Sequence, residues 1–242
     1  MTSEQYTTRP MSIHLPYSID PSSNRYHYYE SLWKLTALRL LSRHEPHLSG
    51  LSLLDYGCGR GETMMLAKTM GLEVCGVDLD AECVRLSSAY GRAETLNLAD
   101  PVGQFGMRAF DITAAFHVLE HVSSPVTTLN HLRLLSRRFV LLAVPNLRVI
   151  PDLLRPAQNV HPTNEGHLQS WDHTHLLNLA EKHCGLRLVA WGFDHVRIPI
   201  LSNQLSKLFG QKFITWLETG PFLSVFPYQS TSVIGLFKVI DD

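Results

Sequence analysis

Two patterns in this chain predict an α/β fold on a mostly parallel sheet. Short apolar runs of strand length alternate with segments of helical period, and the first run ends in a glycine cluster directly before a helix. Strands separated by helices imply a sheet covered on both faces. At 45% hydrophobic and 18% charged residues, the 242-residue chain can fill such a core.

The elements follow in order. Residues 1–24 are polar and carry Pro10, Pro16 and Pro21, which predicts an arm laid over the body. From Tyr26 to about His44, Leu32, Leu35, Leu38 and Leu41 recur at helical spacing, and Pro46 and Gly50 stop the helix. Leu51–Tyr56 reads as a strand, Glu62–Met70 as a helix ended by Gly71, and Val74–Val77 as the second strand. Ala81–Tyr90 is the next helix and Glu94–Leu98 a third strand. Phe110–Ala115 and Phe139–Val144 are apolar strands flanking a helix over Pro125–Arg137, with Ser124 as N-cap and Pro125 at the first helical position. Residues 146–168 hold three prolines and three asparagines and read as a loop. Ser170–His183 is a helix with Ser170 or Asp172 as N-cap, Leu186–Trp191 and Ser232–Val239 are strands, and Ile200–Gly220 is a helical cap. No linker divides the chain, so a single domain over 1–242 is expected, with the cofactor half in 50–145 and the substrate side in 146–242.

Charge and cysteines narrow the classes. With 21 Lys and Arg against 22 Asp and Glu, the chain lacks the basic excess of a nucleic-acid binder. No apolar run reaches the roughly 18 residues of a membrane span. Met1–Pro10 has no apolar h-region, and Cys58, Cys75, Cys83 and Cys184 form no CxxC pair. The expectation is a cytoplasmic protein, monomer or homodimer, acting on a small molecule.

The stretch Leu53-Leu-Asp-Tyr-Gly-Cys-Gly-Arg-Gly61 says most about the ligand. Gly57, Gly59 and Gly61 let backbone approach a ligand at a strand-to-helix turn, which a simple turn would not require three times over. Dinucleotide sites want G-x-G-x-x-G, but Glu62 stands at the last position and would repel a pyrophosphate. The turn therefore suits a ligand without phosphates, whose amino group Asp55 could receive. Asp78, at the end of the second strand, is placed to accept from ribose hydroxyls, because Asp80 fits the following helix cap better.

Leu53–Asp80 resembles the first motif and acidic loop of class I S-adenosylmethionine-dependent methyltransferases, the small bacterial type 11 and type 12 group. Phe110–Val122, with its Leu-Glu-His sequence, Arg138–Asn146 and His167–Trp171 extend the likeness over roughly residues 50–192. The resemblance implies a Rossmann-like seven-stranded sheet with an antiparallel last strand, and S-adenosyl-L-methionine as cofactor, released as S-adenosyl-L-homocysteine. It implies that Gly57, Gly59 and Gly61 shape the methionine and ribose pocket and that Asp55 meets the amino group. Asp78 would hold the ribose, Leu79 would pack on the adenine, Asn97 and Leu98 would edge it, and His117 would border the methionine chain. Asn97 departs from the family's usual Asp, though its amide oxygen can still accept.

Transfer to a hydroxyl also needs a base, commonly His. His161, His167, His173, His175 and His183 crowd the region after the fifth strand, and Glu120-His121 follows the fourth. His121 is either a structural residue of its turn or, with His167, the acceptor's base. His117 and His121 have metal-ligand spacing, but the resemblance assigns His117 to the cofactor, so metal-free transfer by His121 or His167 is the simpler expectation. His173 and His175 should point to different sides of their helix. The aromatic run Tyr26–Tyr29 either packs on the sheet or closes over the cofactor. Trp216, Phe222, Phe226, Pro227 and Tyr228 form a lid or a dimer surface. The leading function is O-methylation of a small hydroxylated acceptor such as a sugar unit. N-methylation of a small amine, or cofactor binding without turnover, are the alternatives.

Overall fold

The computed structural model describes residues 25–149, 165–197 and 205–240. The expected arm over residues 1–24, most of the polar loop with His161, and the start of the cap at 200–204 lie outside the described residues, as do the side chains of the Tyr26–Tyr29 run.

Helix α1, Arg25–His44, is amphipathic as its spacing requires: Leu32, Leu35, Leu38 and Leu41 are all buried. Strands β1 (Ser52–Tyr56), β2 (Glu73–Asp78), β3 (Arg92–Thr95), β4 (Phe110–Phe116) and β5 (Ser136–Pro145) run parallel, with β6 (Leu186–Gly192) and β7 (Ser232–Val239) completing a seven-stranded sheet in the order β3-β2-β1-β4-β5-β7-β6. Only β7 is antiparallel, pairing with both β5 and β6. The mostly parallel sheet and its antiparallel last strand are therefore as expected.

Alternate residues of β5 show how both faces are covered. Phe139, Leu141 and Ala143 pack with α1 and α2 (Glu62–Thr69), whereas Val140, Leu142 and Val144 pack with α5 (Pro125–Leu135) on the opposite face. Such strands read as unbroken apolar runs, which is why they were legible. The strand order reverses between β1 and β4, and in open sheets the crevice outside the carboxyl ends at that point receives ligands.

Some boundaries differ from the sequence reading. Strand β3 spans Arg92–Thr95 rather than 94–98, because its register with β2 runs from Cys75↔Arg92 to Asp78↔Thr95. The chain then turns at Asn97 into a short helix α4, Pro101–Phe105, capped by Asp100, whose side chain accepts from the Gly103 amide at 2.7 Å. This helix was not foreseen. Helix α5 is capped by Ser124 as expected but stops at Leu135, so Arg137 lies in β5, where its Nε meets Asp111 Oδ1 at 2.9 Å. Helix α6 begins at His173 with Asp172 as N-cap, spans His173–Asn178 and widens into a π-helical turn over Leu179–His183. Glycines 210 and 220 divide the cap into α7 (Gln211–Thr219) and α8 (Pro221–Val225). Trp216, Phe226 and Tyr228 are exposed there. Among the described residues no helix is long and apolar enough to cross a membrane.

Candidate functional site

The expected cofactor residues lie at or just beyond the carboxyl ends of β1, β2, β3 and β4. After β1 the chain turns at Gly57, whose amide donates to the Val77 carbonyl at 2.8 Å, so the glycine loop is tied to the end of β2. Gly61 has φ +84°, and a Cβ there would lie 2.9 Å from Ser87 Cα. Backbone geometry and crowding both require glycine. Gly59 differs: a Cβ would meet nothing within 4 Å, leaving open space over the loop for a ligand.

Asp55 is 1% exposed, and its Oδ2 is buried without a hydrogen bond among the described residues. Burial pushes its carboxyl up to about 7, with the Lys34 charge pulling down and Asp78 pushing up. A buried acid with an orphaned oxygen fits the ammonium group of a methionine moiety. Asp78 accepts from the Gly59 amide at 2.8 Å and the Asp80 amide at 3.0 Å. It is thus part of the loop's framework and not wholly free, as the sequence reading had it, although each carboxylate oxygen has a second lone pair for a ribose hydroxyl. Asp80 caps α3 (Ala81–Ser87), accepting from the Glu82 amide at 2.8 Å. Leu79 and Leu98 are 60% and 50% exposed, an apolar pair that an adenine ring would cover. The Asn97 Oδ1 accepts from the Ala99 amide at 3.2 Å, an Asx turn that engages the oxygen expected to meet the adenine.

Sequence reasoning missed what α1 contributes. Glu62 accepts from Ser31 Oγ at 2.5 Å and from Lys34 Nζ, so the carboxylate at the start of α2 is held and neutralised by that helix. Trp33 packs against His117 in a tilted ring contact, with centroids 4.4 Å apart and planes at 43°. Neither Lys34 nor Trp33 belongs to a motif; only their place on the polar edge of an amphipathic helix could have flagged them.

His117 follows β4 with φ +55°, a left-handed conformation that is strained for a residue with a side chain. Its amide donates to the Ala143 carbonyl at 2.8 Å, which holds the turn in place. This turn brings three more residues together. The Glu120 carbonyl accepts from the Leu168 amide at 2.7 Å, pinning the later loop beside the β4 exit. His121 Nδ1 lies 2.8 Å from the Gly166 carbonyl. A carbonyl only accepts, so Nδ1 carries a proton, and in the neutral ring the lone pair is on Nε2. That Nε2 is 4.0 Å from Glu120 Oε1. The His121 and His167 rings meet edge to face with centroids 4.8 Å apart. Burial holds His167 below its ordinary range; Glu120 opposes this, while His121 and His117 add to it.

Glu120 itself is 1% exposed, and neither carboxylate oxygen makes a hydrogen bond among the described residues. The His117 Nδ1 is 3.2 Å from its Oε1. The sequence reading quoted Glu120 without giving it a role. The remaining histidines separate as expected: His173 is buried among Trp191, Phe193 and Tyr228, while exposed His175 pairs with Asp172 at 3.0 Å.

A family model described as a methyltransferase domain matches residues 25–190. The chain belongs to that family. Its cofactor is S-adenosylmethionine, and its place is among the class I methyltransferases that use it. A ubiquinone biosynthesis O-methyltransferase from Paraburkholderia phymatum is 30% identical over 111 residues, covering 40% of this chain and 45% of that protein. The chain therefore matches less than half the length of this curated relative. Magnesium protoporphyrin IX methyltransferase from Synechocystis, solved with bound S-adenosylhomocysteine, superposes with a TM-score of 0.60 at 16% identity, covering 88% of this chain and 84% of that one. A methyltransferase from Archaeoglobus fulgidus gives 0.55 at 15% identity, over 88% and 99%. At these identities the structural likeness shows the fold.

Proposed function

We propose that this methyltransferase moves the methyl group of S-adenosylmethionine to a hydroxyl oxygen of a small acceptor. The observation that carries this reading is the juxtaposition of His121 and His167 over the buried Glu120, one turn beyond the His117 that borders the cofactor. An amine acceptor needs only to be neutral, whereas a hydroxyl needs a site that takes its proton, and this cluster provides proton-accepting groups. The O-methyltransferase activity in the relative's name agrees with it.

In the proposed complex Asp55 meets the cofactor's ammonium, Asp78 the ribose, and Leu79, Asn97 and Leu98 the adenine. The acceptor oxygen attacks the sulfonium methyl carbon in line with the C–S bond, whose electron pair returns to sulfur as S-adenosylhomocysteine leaves. The nucleophile must be held about 3–3.5 Å from that carbon, away from water. The hydroxyl proton is lost at the His121 and His167 side.

The test has two parts. S-adenosylmethionine at about 100 times its dissociation constant should stabilise the chain by about 2.7 kcal/mol, a melting shift of roughly 5–10 °C, and NAD should not. A screen of hydroxylated and amine acceptors, read by S-adenosylhomocysteine release, should find product with the hydroxylated set. In His121→Ala and His167→Ala, turnover should fall more than cofactor affinity. Turnover confined to amines, unchanged in both variants, would refute the O-methylation reading.

A further inference from the structure

We propose that Glu120, His121 and His167 hold a divalent cation that receives the acceptor hydroxyl. The proposal rests on the methyl-transfer reading and deepens it. One ligand atom from each of the three residues lies within 4.8 Å of the others. The set is charged and oriented as a metal site requires. The Glu120 carboxylate is 1% exposed with both oxygens lacking hydrogen bonds among the described residues; His117 Nδ1 stands 3.2 Å from Oε1, and a cation would answer the rest of this buried charge. The His121 tautomer is fixed by the Nδ1 bond to the Gly166 carbonyl at 2.8 Å, the outer-sphere arrangement that aims a histidine's other nitrogen at a metal. His167 arrives from a different loop, which the Leu168 amide ties to the Glu120 carbonyl. With His117 assigned to the cofactor, the segment around Glu120 leaves two ligands, and the fold supplies the third from the later loop.

Ligand atoms about 2.1 Å from a tetrahedral ion stand about 3.4 Å apart, so the three groups would close by about an ångström around it. His121 and His167 are on the accessible side, and loop side chains can make that movement. Two imidazoles and one carboxylate favour Mn²⁺ or Zn²⁺ over Mg²⁺ or Ca²⁺. Three protein ligands leave a position open, as catalytic sites do. With both imidazoles serving as ligands instead of as the base, an acceptor hydroxyl bound there would become more acidic and would give its proton to water. Its oxygen then forms the O–CH₃ bond while the C–S bond breaks and sulfur keeps the pair.

The experiment titrates chelator-treated protein with Mn²⁺ and follows loss of the free-ion paramagnetic resonance signal, with Zn²⁺ as competitor. The wild type should take up one Mn²⁺ per chain. Glu120→Gln and the loop variant His167→Ala should each weaken uptake at least about tenfold while keeping the melting shift given by S-adenosylhomocysteine, which shows that fold and cofactor pocket survive. No uptake of either ion by the wild type, or wild-type uptake in both variants, would overturn the proposal. Chelated protein that binds S-adenosylhomocysteine and still methylates at full rate would remove the cation and leave the methyltransferase reading standing. Protein that takes up Mn²⁺ through these residues but binds neither S-adenosylmethionine nor its product would support the ion site and refute the transfer reading.

Discussion

Replacing Asp55 by Asn should stabilise the empty protein and weaken cofactor binding, the stabilisation shrinking as pH falls from about 7 toward 4 and the loss of affinity being greatest at neutral and alkaline pH. The folded carboxyl titrates at about 7 against an ordinary 3.8. Its folded pKa lies above its unfolded one, so folding favours the protonated form. The stability it contributes is full below about pH 4 and is lost as pH rises through about 7. A shift of roughly 3 units corresponds to about 4 kcal/mol at the upper end. Relaxation of the site and the cost of burying an amide both reduce the gain from Asn, leaving about 2 kcal/mol. For a chain of this size that raises the melting temperature by about 4–8 °C. The gain should be full at pH 8.5, about half as large at pH 5.5, and gone only below about pH 4, where the unfolded carboxyl is protonated as well.

Adding the cofactor reverses the sign. The ionised carboxylate then faces an ammonium group, and loss of a charge-assisted hydrogen bond costs about 1.5–3 kcal/mol, at least about tenfold in affinity at pH 8.5. Differential scanning fluorimetry at the two pH values, with calorimetric titration of S-adenosylhomocysteine, measures both effects. If Asp55→Asn destabilised the empty protein equally at both pH values and left affinity unchanged, Asp55 would be a framework residue and its assignment to the ammonium group would fail.

The loop glycines and Asp78 separate fold from binding. Gly61→Ala forces a Cβ to 2.9 Å from Ser87 Cα at φ +84°, and should lower stability by about 2 kcal/mol or more, read from the denaturant midpoint. Gly59→Ala meets open space and should cost only about 1 kcal/mol, yet reduce cofactor affinity. Equal stability losses would contradict that division. Asp78→Ala should lower affinity at least about tenfold and also destabilise the empty loop, because the Gly59 and Asp80 amides lose their acceptor. Burial depresses His173 to about 4, below its ordinary 6.5, so the stability it contributes is present above about pH 6.5 and lost as pH falls toward 4, by about 3 kcal/mol at most. His173→Phe should flatten that part of the pH–stability profile; an unchanged slope would place the titrating group elsewhere.

The sheet was legible because its signals are local. Leu53 and Leu54 point to opposite faces and are both fully buried, and β5 repeats this along its length. No polar alternation was needed to find such strands. The ends of strand β3 are hard to read in sequence because its outer edge has no partner strand among the described residues and its residues are half-exposed, so register with β2 fixes them. The glycine loop was legible for a different reason. At Gly61, backbone conformation and the proximity of Ser87 admit one residue type, and sequence records that constraint directly.

The acceptor side obeys neither rule. His121 and Gly166 are 45 positions apart, and nothing in either segment's period indicates that one will hydrogen-bond the other. The Leu168 amide closes that distance on the Glu120 carbonyl, and a backbone bond leaves no residue preference behind. Glu120 was read as one letter of a family motif, yet its burial turns it into the residue whose charge must be answered. Lys34 is the parallel case at the cofactor side: an ordinary helix lysine by pattern, and by position the cation that holds Glu62 and pulls on Asp55. At both ends of the crevice, then, sequence supplied the acids, and the packing of a distant helix or loop determines what each acid can bind.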